Sequence, residues 1–350
     1  MIYRKQKEYD SFRCIAGKCP KSCCTGWQIM IDENSLEKYK TMKGDFSDRI
    51  RSSVDYAAGA FRQQGTRCNM LNEDGLCDLQ ATMGEDYLCD TCRLYPRHIE
   101  EFPDLREYSL SLSCPEVTRM VLDADYAFGW DESEDNNFDD PEDFEEFDYL
   151  VFDQLEYARE QMLAVSADRT LSLQERMSRI ATSAYKLQGL YDEGDILAMG
   201  EVSFHMVEEH TGTGIMADYD YCMKSLEVLL RMEVLESAWT DSILATQKYW
   251  SMHPADSRQW NLAMYPTADL EFVFEKLFQS LFFSYFCGAV YDGQIYARAM
   301  IAVQSVRFLM MISAATEEEL ASVIYLYSRE VEHSDPNVNA LISYFEGELE

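Results

Sequence analysis

The chain has 350 residues, of which 47% are apolar and 27% are charged. This is the composition of a globular protein with a substantial core, and it excludes disorder over most of the length. There are 63 acidic and 30 basic residues, so the formal net charge is −33. A field of that size argues against nucleic acid as a partner and against anionic membrane surfaces.

Cysteine and charge are unevenly distributed along the chain. Residues 1–114 contain nine of the eleven cysteines, with 18 acidic and 16 basic residues. Residues 115–350 contain 45 acidic and 14 basic residues. We therefore expect three segments, which are a cysteine-rich metal or iron–sulfur region at 1–122, an acidic link at 123–148 and an α-helical domain at 149–350.

The cysteine-rich region is predicted to be irregular. Turn signals recur, as in Asn72-Glu-Asp-Gly75, and two short helices are predicted at 34–42 and 46–63. Repeated strand-like alternation is missing. A segment with so little core of its own would take part of its stability from metal–ligand bonds.

The stretch 131–148 contains eleven acidic residues among eighteen and no basic residue. One interpretation is a solvated linker or a frayed helix start. The other is a docking patch for a partner that presents lysine.

The remaining sequence has helical periodicity. Within 144–165, Leu150, Leu155, Ala158 and Met162 recur at three- to five-residue steps, and further helices are predicted near 172–191, 194–209, 217–236, 238–251, 268–290, 292–313, 317–331 and 336–347. Helix starts are indicated by Ser172-Leu-Gln-Glu175, by Thr316-Glu-Glu-Glu319 and by Asp335-Pro336. The predicted fold is mainly α, with an irregular cysteine-rich metal-binding N-terminal region packed on a C-terminal multi-helix domain.

No membrane insertion is expected. The first residues lack the apolar stretch of a signal peptide, 277–291 is too short to span a bilayer, and 300–315 contains Arg307. The chain is therefore predicted to be cytoplasmic, where a dense cysteine cluster more often binds a metal or does redox chemistry than forms disulfides.

The cysteine spacing predicts a thiolate-ligated centre. Cys14-x4-Cys19-x3-Cys23-Cys24 forms one group, and Cys68-x8-Cys77-x11-Cys89-x2-Cys92 forms a second, which Cys114 follows. Four thiolates suit zinc or an iron–sulfur cluster. Because adjacent side chains diverge, we expect one of Cys23 and Cys24 to bind a given metal. One cluster with spare thiols, two sites, and reduced structural thiols or disulfides all remain open, and His98 is a candidate nitrogen ligand.

Basic residues flank these cysteines. Positive charge lowers thiol pKa values and offsets the negative charge of a thiolate centre, although solubility and local ion pairs explain such residues equally well. Arg93 and Arg97 are also candidates for holding a carboxylate, such as that of a bound nucleoside amino acid.

Several motifs together resemble a known family. They are Phe12–Cys19, Ser22–Trp27 with Ile31-Asp32, Leu71–Cys77, Cys92–Arg97, Leu110–Glu116, Tyr291–Gly293 and Ser328–Asp335. This set is similar to the flagellin lysine N-methylase family, within the CxxCxxCC-type zinc/iron-chelating group. The resemblance implies methylation of surface lysines of flagellin, with S-adenosylmethionine as donor and an iron–sulfur cluster, of 4Fe–4S type or replaced by zinc. It carries over Cys14, Cys19, Cys23, Cys24, Cys68, Cys77, Cys92 and Cys114 as ligand candidates, and Cys89 is the least certain of the nine cysteines.

The route of methyl transfer is less well defined by the sequence. No glycine-rich strand-to-helix turn is present for the donor, and His210-Thr-Gly-Thr-Gly214 is better interpreted as the end of a helix. A lysine must lose a proton before it is methylated. The candidate groups for this step are His333, Asp335, Asp292 and Tyr291, for which helix-end and turn roles are the structural alternatives. A non-catalytic zinc- or iron-binding protein on a helical scaffold is the alternative function.

Overall fold

The structure is a computed structural model that describes residues 1–204 and 218–349. The predicted class is confirmed, because the described chain is mainly helical and carries a cysteine-rich N-terminal region. Its α-helices are α1 Glu33–Thr41, α2 Ser47–Ser53, α3 Asp78–Met83, α4 Asp90–Leu94, α5 Pro115–Leu122, α6 Tyr149–Ser166, α7 Leu173–Asp192, α8 Tyr219–Leu229, α9 Ala238–Ser251, α10 Arg258–Met264, α11 Ala268–Tyr285, α12 Ala289–Asp292, α13 Ile295–Ala315, α14 Leu320–Glu332 and α15 Asp335–Glu346. Its strands are β1 Ile2–Gln6, β2 Val54–Asp55, β3 Ala60–Phe61, β4 Gln63–Gln64, β5 Arg67–Cys68, β6 Arg97–Phe102, β7 Leu105–Leu110 and β8 Trp130–Glu134.

The helical body is organised around α13. This helix packs against α7, α9, α11 and α15. Within the described ranges it is the one helix long and apolar enough to cross a membrane, so the expectation that Arg307 would disqualify this segment is wrong. The share of its most apolar stretch that is buried inside the protein is 94%, as in the central helix of a folded core.

Two of the three predicted helix starts need correction. The capping box of Ser172 and Glu175 is present as predicted. Thr316 instead closes the preceding helix, because its hydroxyl donates to the Ile312 carbonyl, and α14 begins only after Glu319. The cap of α15 is Ser334, one residue before the predicted Asp335.

Other helix boundaries also differ from the prediction. The helix predicted at 46–63 ends at Ser53, because β2 and β3 form a hairpin whose turn contains Gly59 at φ +64°. The helix predicted at 194–209 corresponds to a 3-10 segment, Ile196–Glu201, and its last five residues lie outside the described ranges. His210-Thr-Gly-Thr-Gly214 also lies outside them.

A four-stranded sheet in the N-terminal region was not predicted. Its strand order is β6-β7-β1-β8, with β1 parallel to β7 and antiparallel to β8. Strand β8 comes from the beginning of the acidic run, and the Tyr3 hydroxyl donates to Asp135 at 2.9 Å. The Arg106 guanidinium pairs with Asp139. The run is therefore attached to the sheet over its first half.

The apolar residues form two cores. The larger one joins the body helices to Phe102 and Leu105 of the sheet and to Val117 of α5. The smaller one lies between residues 29 and 89 and includes Cys68 and Cys89. We call residues 14–95 the cysteine lobe. The sheet and α5 thus belong to the core of the body, while the cysteine lobe has a small core of its own.

Candidate functional site

The sequence places three cysteines directly before helices. Cys77 precedes α3, Cys89 precedes α4 and Cys114 precedes α5, which begins with a proline at its first turn. Backbone N–H groups of the first helical turn face these thiols and act to lower the pKa values of Cys77 and Cys114, although burial outweighs them and raises both. All eleven cysteines lie in the described ranges and all are free thiols.

Two pairs of thiols are in hydrogen-bond contact. A hydrogen bond with Cys24, followed by burial, raises the pKa of Cys23 well above its ordinary value. The same interaction between Cys89 and Cys92 lowers the pKa of Cys89 and raises that of Cys92. Within the second pair, ionisation is therefore favoured at Cys89 over Cys92. The expectation that one of Cys23 and Cys24 binds a given metal stays a prediction.

The two pairs are close enough to sense each other's charge. Negative charge on Cys24 and Cys23 contributes to the raised pKa of Cys92. Burial raises the pKa of Cys68 to about 11 and that of Cys114 to about 12. Without a nearby cation the neutral thiol is the stable form of such groups.

The cysteine lobe carries the donor atoms that a metal centre would need. Among residues 1–204 and 218–349, no three His, Cys, Asp or Glu side chains converge as a ready ligand set. The donors nevertheless suit a soft metal, because they are thiols and the Cys23–Cys24 pair lies close enough to Cys92 to raise its pKa. Zinc or an iron–sulfur cluster would be held by Cys23, Cys24, Cys89 and Cys92. His98 is engaged with Glu100 at 3.0 Å.

An aromatic cluster joins the cysteine lobe to the body. The Trp27 ring stacks on His333 with centroids 4.8 Å apart, and Tyr95 lies 5.3 Å from the same imidazole. The Trp27 indole also donates to the Cys23 carbonyl at 2.7 Å. We call the contact between residues 22–27 and 95 on one side and residues 325–333 on the other the seam. His333 is thus placed beside the cysteine pair.

The seam contains titratable groups with altered pKa values. Burial, helped by the charge of Arg329, lowers the pKa of His333 to about 4, so its imidazole is neutral near pH 7. Burial raises the pKa of Glu332, which accepts hydrogen bonds from Ser111 at 3.4 Å and from Ser328. Glu332 was missed from the sequence, although it lies within the motif Ser328–Asp335.

Two of the other three sequence candidates for proton transfer have structural partners. Asp292 pairs with Arg298 at 2.8 Å. The Tyr291 hydroxyl donates to the Glu101 carbonyl, and burial raises its pKa to about 12. Asp335 is exposed in the first turn of α15. His333 is the candidate whose ring packs on the cysteine lobe.

The two arginines proposed to hold a carboxylate are engaged elsewhere. Arg93 pairs with Asp90 at 2.5 Å, and this bond raises the pKa of Arg93. The Arg97 guanidinium lies over the rings of Tyr9 and Phe12, at 5.6 and 5.3 Å. A carboxylate at either position would compete with these contacts.

Two polar cavities lie on the cysteine lobe. The first has a volume of about 470 Å³ and is lined by Gln28, Asp55, Phe61, Arg62, Gln63 and Asn69. The second, of about 230 Å³, shares Asn69 and is lined also by Arg49, Gln64, Arg67, Cys68 and Leu71. The first cavity has the size of a small-molecule site, and its amides and charged groups suit a polar ligand. No sequence motif predicted this cavity, because its lining comes from separate short strands and turns.

Comparison with known proteins identifies the family. Residues 159–350 match the FliB lysine N-methylase C-terminal domain. The chain belongs to the FliB lysine N-methylase family. It is 32% identical over 120 residues to the flagellar biosynthetic protein FliU of Salmonella muenchen, a match that covers 32% of this chain and 71% of that protein.

The lysine-N-methylases of Salmonella typhimurium and Salmonella choleraesuis are also 32% identical over 120 residues. These matches cover 32% of this chain and 30% of each methylase. The chain therefore matches less than a third of the length of these two relatives. No solved structure matches.

Proposed function

We propose that this protein is a protein-lysine N-methyltransferase that acts on surface lysines of flagellin, with S-adenosylmethionine as methyl donor and a cysteine-bound iron–sulfur cluster or zinc ion. Membership of the FliB family supports the reaction class. The cytoplasm is the proposed compartment, since its reducing conditions keep thiols free.

The observation that carries the proposal is the seam. It combines the thiol pair Cys23 and Cys24, a neutral imidazole and a carboxyl group of raised pKa where the matched C-terminal region meets the cysteine lobe. Perturbed titratable groups that converge at such a place are typical of functional sites.

The reaction requires a neutral amine. A lysine ammonium first gives up a proton, then its nitrogen forms a bond to the methyl carbon while the sulfur–methyl bond of the donor breaks. The donor leaves as a neutral thioether. Glu332, whose pKa is raised by burial, is the proposed proton acceptor, since burial holds the pKa of His333 down at about 4.

The larger cavity of the cysteine lobe is the proposed donor site. Side-chain amides of Gln28, Gln63 and Asn69 offer both donors and acceptors to a nucleoside, and Asp55 offers a carboxylate to an amino group. S-adenosylmethionine would supply a methyl group activated by positive charge on sulfur.

A binding measurement tests this site. Replacing Asn69 by alanine is expected to weaken binding of S-adenosylmethionine, measured by calorimetry. Gln80→Ala, which lies outside both cavities, is the control.

The deciding experiment is turnover. Purified flagellin is incubated with the protein and S-adenosylmethionine without oxygen, and intact mass spectrometry follows addition of methyl groups. The Glu332→Gln variant is expected to lose most of the activity and to change its pH profile. Glu348→Gln is the matched control, because Glu348 also has a raised pKa through burial and accepts a hydrogen bond from Tyr221.

The alternative function is a zinc- or iron-binding protein without catalysis. The two thiol pairs support this alternative as well as they support the enzyme, since metal binding alone would explain them. Flagellin that gains no mass while the protein retains its metal would support this alternative and reject methyl transfer. Colour separates the metals, because an iron–sulfur protein is brown and a zinc protein is colourless.

A further inference from the structure

One face of α14, together with His333 directly after the helix, is directed at the cysteine lobe. Tyr325, Arg329 and His333 follow one another at four-residue steps, which places them on one side of a helix. The Arg329 guanidinium donates to the Ser22 carbonyl at 3.2 Å, and His333 stacks on Trp27. The body thus contacts both ends of the turn that carries Cys23 and Cys24.

Arg329 is buried and held in place from its own side. It is 1% exposed, and it donates to the Tyr325 hydroxyl at 2.7 Å. Its Nε lies 3.1 Å from a carboxylate oxygen of Glu236, an ion pair whose geometry is not that of a hydrogen bond. The Glu330 carboxylate in turn accepts from the backbone N–H groups of Leu235 and Glu236. Contacts within the body therefore hold the Arg329 guanidinium in place, independently of its contacts with the cysteine turn.

The turn is shaped to admit this side chain. Arg329 Nη2 lies 3.4 Å from the Thr25 hydroxyl. A Cβ atom at Gly26 would lie 2.9 Å from the same nitrogen, and Gly26 has φ +90°. The turn continues into the small core, because the Cys68 N–H donates to the Cys24 carbonyl at 2.9 Å. Glycine is therefore required here for close approach as well as for its backbone conformation.

We propose that Arg329 is a positioning residue for the cysteine turn at residues 22–27, so that retention of a metal by the cysteine lobe depends on a side chain of the helical body. The inference relies on the proposed metal-binding role of the cysteine lobe. A planar guanidinium suits this task, because it directs several fixed donors at the turn while its charge offsets that of nearby thiolates.

The first test measures zinc release. Purified protein is loaded with Zn²⁺ alone, and transfer to a coloured chelator is timed. Arg329→Met keeps most of the side-chain volume but removes the donors and the charge, and we expect release to be about tenfold faster, equivalent to about 1.4 kcal/mol. Arg176→Met is the matched control. Arg176 is also 1% exposed, but it pairs with Glu271 and Glu275 within the body. Its replacement is expected to lower the unfolding temperature without changing zinc release.

A second pair of variants changes the opposite side of the contact. Gly26→Ala introduces a Cβ that displaces the guanidinium, whereas Gly65→Ala has a similar positive φ, +62°, and no heavy atom within 4 Å of the added group. We expect faster zinc release from the former only. This pair keeps the inference testable if Arg329→Met does not fold.

Alkylation of the metal-free protein gives an independent readout. Iodoacetamide is added at fixed pH, and mass spectrometry compares the modification rates of Cys23 and Cys24 with that of exposed Cys14. Arg329→Met and Gly26→Ala are expected to expose the pair and increase its relative rate severalfold. Unchanged alkylation and zinc release in both variants would overturn the inference. Because neither measurement uses methyl transfer, absence of methyltransferase activity alone would leave the positioning role standing.

Discussion

The buried ion pair between Glu107 and Arg159 provides a quantitative test of how the sheet is fixed to the body. Glu107 lies in β7 and Arg159 in α6, their side chains are 3% and 2% exposed, and two N–O contacts of 2.5 and 2.6 Å join them. Glu107→Gln would leave the guanidinium without its main counter-charge. Breaking such a pair destabilises a protein by about 3–5 kcal/mol.

A second carboxylate near Arg159 lowers the expected loss in the free energy of unfolding. Glu156 remains 3.9 Å from Arg159, so part of the charge stays compensated and the expected loss is near the lower limit, about 3 kcal/mol. Unfolding entropy is about 2.1 cal/mol/K per residue, so a chain of this length should lose roughly 4 °C in unfolding temperature.

Differential scanning calorimetry of matched variants measures this effect. The control is Glu132→Gln, because Glu132 pairs with Arg4 at 3.0 Å but is 54% exposed. Exposed pairs contribute about 0–1 kcal/mol, so the control should shift the unfolding temperature by roughly 1 °C. Equal shifts for the two variants would refute the argument that burial of Glu107 sets the size of the effect.

Three further predictions concern metal, pH and substrate. Cys92→Ser should lose bound metal, measured by elemental analysis, whereas Cys14→Ser should retain it; equal losses would contradict the thiol-pair assignment. Burial raises the pKa of Glu330 from 4.5 to about 7, so the folded state holds a proton that the unfolded state releases, and stability should fall as pH rises through that interval. Urea unfolding at pH 5 and pH 8 should show a smaller difference for Glu330→Gln than for the unchanged protein. Converting the exposed acids Glu142, Asp143, Glu145 and Glu146 to amides should raise the KM for flagellin if the acidic run docks substrate, and an unchanged KM would favour a structural role.

The helical body was largely predictable because its signals are local. Apolar periodicity and the Ser172–Glu175 capping box lie within single helices, and both reflect contacts a few residues apart. The sheet was missed for the opposite reason. Strand β1 pairs with β7 about a hundred residues later, and short strands with mixed polarity give no clear alternation.

The candidate site was predictable in its chemistry but only partly in its geometry. Cysteine spacing predicted a set of thiol donors, which stays a prediction, and His333 was named among the residues that could act. The stacking of His333 on Trp27 joins positions about three hundred residues apart, and a contact at that separation cannot be predicted from local residue spacing. Arg329 and Glu332 lie inside the motif Ser328–Asp335, but their burial and partners depend on how α14 packs on the cysteine turn.

This packing also bears on how the family's C-terminal domain works. The matched residues 159–350 include Arg329 and His333, yet their partners Ser22, Thr25 and Trp27 lie in the cysteine lobe. Without that lobe, a guanidinium that is 1% exposed would lose two hydrogen-bond acceptors, and the imidazole would lose its stacking partner. Leaving buried polar groups unpaired is unfavourable, so the isolated C-terminal region would expose or rearrange this end of α14. The seam therefore makes the two compositionally distinct regions one structural unit.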